Sequence, residues 1–171
     1  MFDKKNTNKV AELFFMNPDR SFHLREISRN LGVSVSTVSR AVDELEHEDL
    51  VTTEKGVTKE VSANTTEHFR DLKISYNLKS LAKSGLIDTI EETFHPETIV
   101  LFGSYSRGED SSDSDIDIAV VNCPEKEYDL SRFESELERN INLHNIKLEK
   151  TGQNFKKTLA NGIVLRGYLD L

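Results

Sequence analysis

The 171-residue chain has 36% hydrophobic and 30% charged residues, with only 3 Pro and 8 Gly. This composition is typical of a globular chain with room for one ordinary domain or two small ones, and it excludes disordered and collagen-like classes. The longest apolar stretches, such as Thr98–Phe102, are far shorter than the roughly 18 residues of a membrane-spanning helix, and no signal segment is recognisable. We therefore expect a cytoplasmic protein without membrane contact. The single cysteine, Cys123, excludes an intramolecular disulfide and a cysteine-rich metal site.

The net charge of −8 at pH 7 is spread over both halves of the chain. Residues 1–64 carry 9 basic and 11 acidic side chains, and residues 65–171 carry 13 basic and 19 acidic ones. A nucleic-acid-binding surface normally displays an excess of Lys and Arg. Any contact with nucleic acid must therefore be made by a local patch.

Apolar spacing predicts two helices near the N-terminus. The first runs from about Lys4 to Met16, where Asn17-Pro18 ends it because the residue before a proline avoids the α conformation. The second covers 24–31, and Gly32 supplies the left-handed residue that commonly ends a helix.

A third helix and a hairpin follow directly. Ser34 is a good N-cap, and an apolar stripe runs from Val38 to Leu45. Beyond it, the β-favouring runs 50–53 and 57–61 predict a hairpin. The predicted order over 1–64 is helix, helix, turn, helix, hairpin.

Two helices joined by a tight turn form a helix-turn-helix, which lays its second helix in the major groove of DNA. The segment 24–45 resembles winged helix-turn-helix transcription regulators of bacteria and archaea, and the resemblance covers roughly residues 5–63. Short hydroxyl side chains on the second helix would let bases approach closely. The side chains expected at base edges are Ser36, Thr37, Ser39 and Arg40, and those expected at phosphates are Arg25, Arg29, Lys55 and Lys59.

The alternative for this half is a helical module used for dimerisation or protein contact. Its support is electrostatic, because five acidic residues crowd the segment from Asp43 to Asp49. The salt dependence of DNA affinity distinguishes the two hypotheses. DNA affinity falls steeply as salt is added, whereas a flat response would favour the contact module.

The chain becomes helical again after the hairpin. Asn64 and Glu67 have the spacing of a capping box, Gly85 interrupts the helical pattern, and His95-Pro96 closes it. We expect linker helices over 65–95, between a DNA-binding domain at 1–64 and a second domain at 96–171. That second domain is predicted to have strands at 98–102, 116–121 and 141–149, helices at 130–140 and 155–159, and a last apolar run at 163–165.

Gly103-Ser104 and Asp115-Ile116-Asp117 are the most informative segments of the chain. A buried strand that ends in Gly-Ser and turns into a helix lets backbone N–H groups and a hydroxyl approach a phosphate. Asp115 and Asp117, two apart on a strand, project from one face. Two adjacent carboxylates are unfavourable without a cation, and Mg²⁺ is bound by carboxylates together with substrate phosphates. The pattern predicts a Mg²⁺-bound nucleoside triphosphate.

These residues resemble the signature of the DNA polymerase beta-like nucleotidyltransferase superfamily, in which Gly-Ser is followed after ten residues by Asp-x-Asp. The domain is most similar to minimal nucleotidyltransferases, which include antitoxin partners of HEPN-domain toxins. The resemblance implies that Asp115 and Asp117 hold two Mg²⁺ ions. These ions would bridge the nucleoside triphosphate, which is expected to be ATP, and the attacking hydroxyl. A nucleoside monophosphate is then transferred in line and pyrophosphate is released. Arg107 would help to neutralise phosphate charge.

The family also uses a third carboxylate on a neighbouring strand, which helps to bind metal and to activate the acceptor hydroxyl. Along 145–149, Lys147 and Glu149 share one face, so Glu149 is the nearest usable acid. Lys147 stands where an aspartate is expected, and it would either oppose the metal ions or bind phosphate. The five histidines, including His144, are scattered, and we expect surface roles for them.

The sequence thus predicts an α+β protein of two domains, a winged helix-turn-helix followed by a small nucleotidyltransferase α/β domain with a mixed sheet. Three functions remain open. The first is an enzyme that transfers AMP to a hydroxyl on a protein or small molecule, with tyrosine on a HEPN toxin as the family's precedent. The second is a transcription regulator that senses nucleotide. The third is an antitoxin that binds its toxin and represses their promoter. A homodimer is an open alternative, because helix-turn-helix proteins commonly pair to match two half-sites.

Overall fold

The computed structural model describes residues 4–56 and 59–170 of the chain. Val57 and Thr58, which the sequence assigns to the second strand of the hairpin, lie outside the described residues. Within the described part, no helix combines the length and the apolar character needed to cross a membrane.

The chain divides into two compact units, Met1–Tyr76 and Asn77–Leu171. The segment that the sequence places in a linker is divided between them, with residues 65–76 in the first unit and residues 77–95 in the second. The later part contributes buried apolar side chains, such as Ile90, to the core of the second unit. The two units are therefore described separately.

The first unit, in its described residues, has three helices, a three-stranded antiparallel sheet and the start of a fourth helix. Helices α1, α2 and α3 cover Lys4–Met16, Leu24–Leu31 and Val35–His47, and strands β1, β2 and β3 cover Phe22–His23, Val51–Lys55 and Lys59–Ala63. The strand order is β1-β3-β2. The predicted order of helices and hairpin is confirmed. The short β1 was not predicted, because two residues are too few for an alternating pattern.

The helices of the first unit pack around the apolar stripes that the sequence predicts. Val38 and Leu45 of α3 are buried, and Phe14 of α1 meets Phe22 edge to face with 5.6 Å between ring centroids. Gly32 ends α2 in the left-handed conformation, at a φ of 65°. The turn and the core together hold α3 with its polar side exposed.

The second unit is built on a mixed four-stranded sheet. Helix α4 covers Glu67–Ser84 and contains the boundary between the units. Helices α5, α6, α7 and α8 cover Leu86–Phe94, Gly103–Ser106, Ser131–Leu137 and Gln153–Ala160. Strands β4, β5, β6 and β7 cover Thr98–Phe102, Ile116–Val121, Ile141–Ile146 and Ile163–Gly167. The strand order is β6-β5-β4-β7. Strands β5 and β6 are parallel, and the other neighbours are antiparallel. The predicted α+β class with a mixed sheet is confirmed.

The N-terminal cap of α4 differs from the predicted capping box. Thr66 accepts a hydrogen bond from the backbone N–H of Phe69 at 3.2 Å, so Thr66 caps the helix. The side chain of Asn64 instead donates to the carbonyl oxygen of Asp49 at 3.1 Å. The expected pairing of Asn64 with Glu67 is therefore wrong.

Two elements of the second unit are shorter than predicted. Helix α7 ends at Leu137 because Glu138 adopts a left-handed conformation with a φ of 54°. Strand β6 ends at Ile146, opposite Val121, the last residue of β5. No ladder partner remains on β5 beyond this point, and the chain turns into a short 3-10 helix, Leu148–Lys150.

The two faces of the sheet carry different side chains. On one face, Ile118 of β5 belongs to a core shared with α5. On the other face, Phe102 and Ala119 pack against Leu159 of α8. Strand alternation puts Asp117 on the same face as Ala119. The polar end of this second face is the candidate site.

Candidate functional site

Two carboxylates lie side by side where β5 begins. Asp117 is the second residue of β5, and Asp115 directly precedes the strand. The amide Nδ2 of Asn142 on β6 donates to both, at 3.1 Å to Asp115 Oδ2 and 3.2 Å to Asp117 Oδ1. A second amide, that of Asn140, donates to Asp115 Oδ1 at 3.0 Å. The two acids therefore share one location, as the strand alternation predicts.

The pairing of β5 with its neighbours produces this arrangement. Asp117 is opposite Asn142 on β6 and opposite Phe102 on β4. Amide donors make charge-assisted hydrogen bonds to carboxylates and offset part of the repulsion between the two acids. The next residue of β6 on the same face is His144. We name these side chains the carboxylate cluster: Asp115, Asp117, Asn140, Asn142 and His144.

Gly103 begins α6 directly after β4 and lies against Asp117. Its φ is +76°, a conformation that costs an L residue with a side chain about 1–2 kcal/mol. A Cβ atom at this position would also overlap the carboxylate of Asp117. Glycine is therefore favoured by the backbone conformation, a side chain here would have to displace the Asp117 carboxylate, and the absence of one gives a ligand access to the backbone beside the carboxylates.

The exposed side of α3 carries the hydroxyl groups and the arginine that the sequence places near DNA. Ser36 and Arg40 are exposed, whereas Thr37 and Ser39 are half-buried. The hydroxyl of Ser34 accepts a hydrogen bond from the backbone N–H of Thr37 at 3.2 Å and so caps the helix. Arg40 Nε donates to the carbonyl oxygen of Ser36 at 3.4 Å.

Comparison with known protein families gives a match for each of these regions. Residues 85–168 match the family model described as polymerase beta, nucleotidyltransferase, and residues 14–55 match the IclR helix-turn-helix domain. The two matched regions follow each other along the chain as a region similar to helix-turn-helix domains and then a region similar to polymerase-beta-type nucleotidyltransferases. The first match contains the whole carboxylate cluster, and the second contains α2 and α3. No curated protein matches the chain.

In the helix-turn-helix domain, the acidic end of α3 binds a lysine of the hairpin. Lys59 Nζ on β3 lies 2.9 Å from Asp43 Oδ1 and 4.0 Å from Glu46 Oε2. Lys55 ends β2 and pairs in register with Lys59. A phosphate contact by Lys59 would therefore have to replace its contact with Asp43.

The nucleotidyltransferase domain does not bring Glu149 to the carboxylate cluster. Strand β6 runs parallel to β5 and away from Asp117, and Glu149 lies in the 3-10 helix beyond the far end of β6. At roughly 3.3 Å per residue, β6 alone carries the chain about 13 Å from Asn142 to Ile146. The expectation that β6 extends to residue 149 is wrong, and the side chain beside Asp117 is the neutral Asn142.

Lys147 also lies at the far end of β6. Its Nζ donates to the carbonyl oxygen of Cys123 at 2.7 Å. Burial raises the pKa of the Cys123 thiol above its ordinary value. Neither of the roles considered for Lys147, opposing the metal ions or binding phosphate, fits a side chain directed to this carbonyl.

His144 belongs to the site, although the scattered positions of the histidines in the sequence predict a surface role for it. Its Nε2 lies 3.5 Å from Asp117 Oδ1, and its ring centroid lies 5.1 Å from that of Phe102 and 6.2 Å from that of Phe155. The sequence shows that His144 follows Asn142 by two residues. It does not show the parallel pairing of β5 with β6, which brings His144 close to Asp117.

Ser104 and Arg107 lie in the α6 turn and directly after it. The carbonyl oxygen of Ser104 accepts from the backbone N–H groups of Arg107 and Glu109, at 3.0 and 3.1 Å. Arg107 is exposed, and its Nε donates to Glu109 Oε2 at 2.8 Å. Because α6 has only four residues, its macrodipole is small. The expected helix polarity therefore contributes little, and the backbone beside Gly103 is the feature that suits a phosphate.

The donor set of the carboxylate cluster fits a cation that arrives with a nucleotide. Within residues 4–56 and 59–170, no three His, Cys, Asp or Glu side chains are placed as a complete group of metal ligands. The two carboxylates are nevertheless adjacent, and Mg²⁺ is commonly held by one or two carboxylates while phosphates and waters complete its coordination.

Proposed function

We propose that this chain is a DNA-binding regulator whose nucleotidyltransferase domain binds a nucleoside triphosphate with a divalent cation at the carboxylate cluster. ATP and Mg²⁺ are the expected ligands. The observation that supports the proposal most strongly is the amide of Asn142, which donates to Asp115 and to Asp117 and so brings both carboxylates to one place beside Gly103.

The side chains of the cluster have distinct roles in this proposal. Asp115 and Asp117 would hold the cation through their carboxylate oxygens. When bound, Mg²⁺ supplies positive charge that neutralises the triphosphate. Asn140 and Asn142 keep the carboxylates oriented, and their amide groups must withdraw or rotate when a cation takes the oxygens to which they donate.

The segment after β4 would bind the phosphates. Gly103 offers its backbone, and Ser104 adds a hydroxyl that can donate to a phosphate oxygen. Arg107 would exchange Glu109 for a phosphate, which is inexpensive because the ion pair between them is exposed.

Nucleotidyl transfer is the second candidate function, and the intact pair of Asp115 and Asp117 favours it. In this reaction a hydroxyl oxygen bonds to the α-phosphorus of ATP, the bond from that phosphorus to the bridging oxygen breaks, and pyrophosphate leaves. The acceptor would be a hydroxyl on a partner protein, such as a tyrosine of a HEPN-type toxin, or on a small molecule. The hydroxyl must also lose a proton, and the neutral amide of Asn142 cannot accept it. We therefore place nucleotide sensing before transfer.

As a sensor, the chain would couple nucleotide binding to DNA binding. If ATP changes the affinity for DNA by some factor, DNA must change the affinity for ATP by the same factor. Measuring both affinities, each in the presence and absence of the other ligand, tests the coupling without any assumption about its direction.

The experiment that tests the nucleotide site is ATP binding by the full chain, measured by calorimetry with Mg²⁺. Asp117→Asn is expected to lower the ATP affinity by about 10–100-fold, as loss of metal-site residues commonly does. Asp113→Asn is the matched control, because Asp113 is a nearby exposed acid outside the cluster. Equal ATP affinities for wild type and Asp117→Asn would refute the site.

Incubation with α-labelled ATP separates the two candidate functions. Label that passes to a protein or small-molecule acceptor in wild type and Asp113→Asn, but not in Asp117→Asn, would establish transfer. ATP binding with no labelled product would support sensing. If a HEPN-type protein is encoded next to this chain, it is the first acceptor to include.

A further inference from the structure

A cavity in the first unit lies beside α3, the helix predicted to contact DNA. Its volume is about 880 Å³, and the residues that line it lie between Thr7 and Leu72, all within this unit. Binding sites for small organic molecules usually have volumes of about 300–1,000 Å³ and a mostly apolar lining with a few polar groups. The cavity therefore has the size of a small-molecule site, and the proposed nucleotide function does not use it.

The apolar part of the lining comes from three helices. Ala11 and Phe15 are four residues apart on α1 and so lie on one side of that helix, while Leu45 contributes from α3 and Leu72 from α4. Phe15 also packs against Phe69 of α4, with 5.1 Å between the ring centroids, which holds α4 against α1. Leu72 remains 37% exposed. An apolar ligand in the cavity would remove this leucine from water, which favours binding.

The charged part of the lining comes from α3 and carries several carboxylates. Asp43 lines the cavity, but Lys59 neutralises its carboxylate at 2.9 Å. Glu44 and Glu48 also line the cavity, and within residues 4–56 and 59–170 neither of them forms an ion pair. Glu44 Oε2 accepts a hydrogen bond from the hydroxyl of Thr7 at 2.7 Å, a contact that leaves its charge in place. Two glutamates are thus available to a ligand.

Arg40 lines the same cavity and carries the opposite charge. Its Nε donates to the backbone carbonyl oxygen of Ser36 at 3.4 Å, so this donor is not directed to a glutamate. One arginine stands against the two glutamates, and the net charge offered to a ligand is negative. A positive charge on the ligand would therefore be attracted, and more strongly where the ligand displaces water from the cavity.

We propose that this cavity binds an organic cation with an apolar body. The apolar body would lie against Phe15 and Leu72, and the positive charge would lie near Glu44 and Glu48. An anion of the same shape would meet the same apolar surface but would be repelled by the glutamates. The proposal goes beyond the proposed function and does not depend on it, because no residue of the carboxylate cluster lines the cavity.

The test uses two ions of nearly the same size and shape but opposite charge, tetraphenylphosphonium and tetraphenylborate. Their binding to the full chain is measured by calorimetry in potassium-free buffer at pH 8, where histidine is ordinarily uncharged. Tetraphenylphosphonium is expected to bind at least about tenfold more tightly, because the glutamates attract it and repel the borate. Equal affinities, tighter binding of the borate, or no phosphonium binding with a Kd below about 1 mM would overturn the proposal.

Leu72→Gln tests whether the ion binds in this cavity. The change removes an exposed apolar side chain, so the fold should persist while the tetraphenylphosphonium affinity falls at least about fivefold. Val164→Gln is the matched control, because Val164 of β7 is 42% exposed and lies outside the cavity. This control should bind the ion as wild type does. Equal affinities in the two variants would mean that the ion binds elsewhere, and the proposal would be wrong.

Glu44→Gln and Arg40→Ala test the charge of the lining in opposite directions. Glu44→Gln keeps an oxygen that can accept from Thr7 but removes the charge, and it should lower the tetraphenylphosphonium affinity about threefold. Arg40→Ala should raise the same affinity about twofold. Glu54→Gln removes an exposed acid of β2 outside the cavity and should have no effect. An equal loss in Glu54→Gln and Glu44→Gln would show that binding follows the net charge of the chain, against the proposal.

Discussion

The polar side chains of α3 and those of the carboxylate cluster are oriented by contacts of different range. In α3, the hydroxyl of Ser34 binds the backbone of Thr37, three residues along the chain. In the cluster, Asn142 binds Asp117 across 25 residues, and Gly103 contacts the same carboxylate from the end of another strand. The α3 surface is thus organised by its own helix, whereas the cluster exists only when β4, β5 and β6 are paired. Substitutions in α3 should have local effects, and substitutions in the cluster should act across the sheet.

Gly103→Ala tests the long-range side of this comparison and has the largest expected effect. The new methyl group would displace the Asp117 carboxylate and would place an L residue at a φ of +76°. We expect a loss of about 1–2 kcal/mol in the free energy of unfolding and a fall of about 10–100-fold in ATP affinity. Thermal unfolding and calorimetry measure the two effects.

Gly152→Ala is the matched control for Gly103→Ala. Gly152 has a φ of −65°, and a Cβ there would meet nothing within 4 Å. Its ATP affinity should equal that of wild type. Equal losses of ATP affinity in Gly103→Ala and Gly152→Ala would show that the contact between Gly103 and Asp117 does not determine ATP affinity.

Asn142→Asp places a third carboxylate beside Asp117 and should shift both stability and metal affinity. Without a cation, the added charge repels the two existing acids, and a loss of about 1 kcal/mol would lower Tm by about 2–4 °C. With Mg²⁺, the affinity should rise by about tenfold, and any transfer of label from ATP should become faster. Asn154→Asp on the exposed side of α8 controls for the added charge. A lower Mg²⁺ affinity in Asn142→Asp would contradict this account.

Arg40→Ala tests the α3 surface. If Arg40 reads a base edge, its removal should cost about 1–3 kcal/mol of binding to a DNA fragment selected from a random library by the wild-type chain. Arg70→Ala on the exposed side of α4 is the control. ATP affinity should not change in either variant when DNA is absent. Wild-type DNA affinity that does not respond to salt would instead favour a protein-contact role for this domain.

Ser34→Ala has the smallest expected effect and tests how local the organisation of α3 is. Loss of the cap should reduce the local stability of the helix by about 1 kcal/mol, measured by hydrogen exchange of the first amides of α3. Ser75→Ala within α4, where the serine hydroxyl donates to the carbonyl oxygen of Asp71, is the control. A change in ATP affinity on Ser34→Ala would show that the two regions are less independent than their contacts indicate.

The order of the elements was predictable because it depends on short-range features of the chain. The apolar spacing of α1 to α3, the proline after Asn17 and the glycine at 32 act within one or two helical turns. Errors arose where two neighbouring residues had the same chemistry. Asn64 and Thr66 are both competent caps, and only the packed structure showed that Thr66 caps α4 while Asn64 contacts Asp49.

The composition of the candidate site was predictable only in part. The adjacency of the Asp115 and Asp117 carboxylates follows from the order of residues alone, because alternation along a single strand is a local property. The pairing of β5 with β6 is what adds Asn142 and His144 to these acids and leaves Glu149 away from them. The register of β5 against β6 is set by long-range packing. Because β5 ends at Val121, opposite Ile146, the residues after Ile146 have no partner on β5. A pattern within one strand cannot show which residue of the next strand will face it.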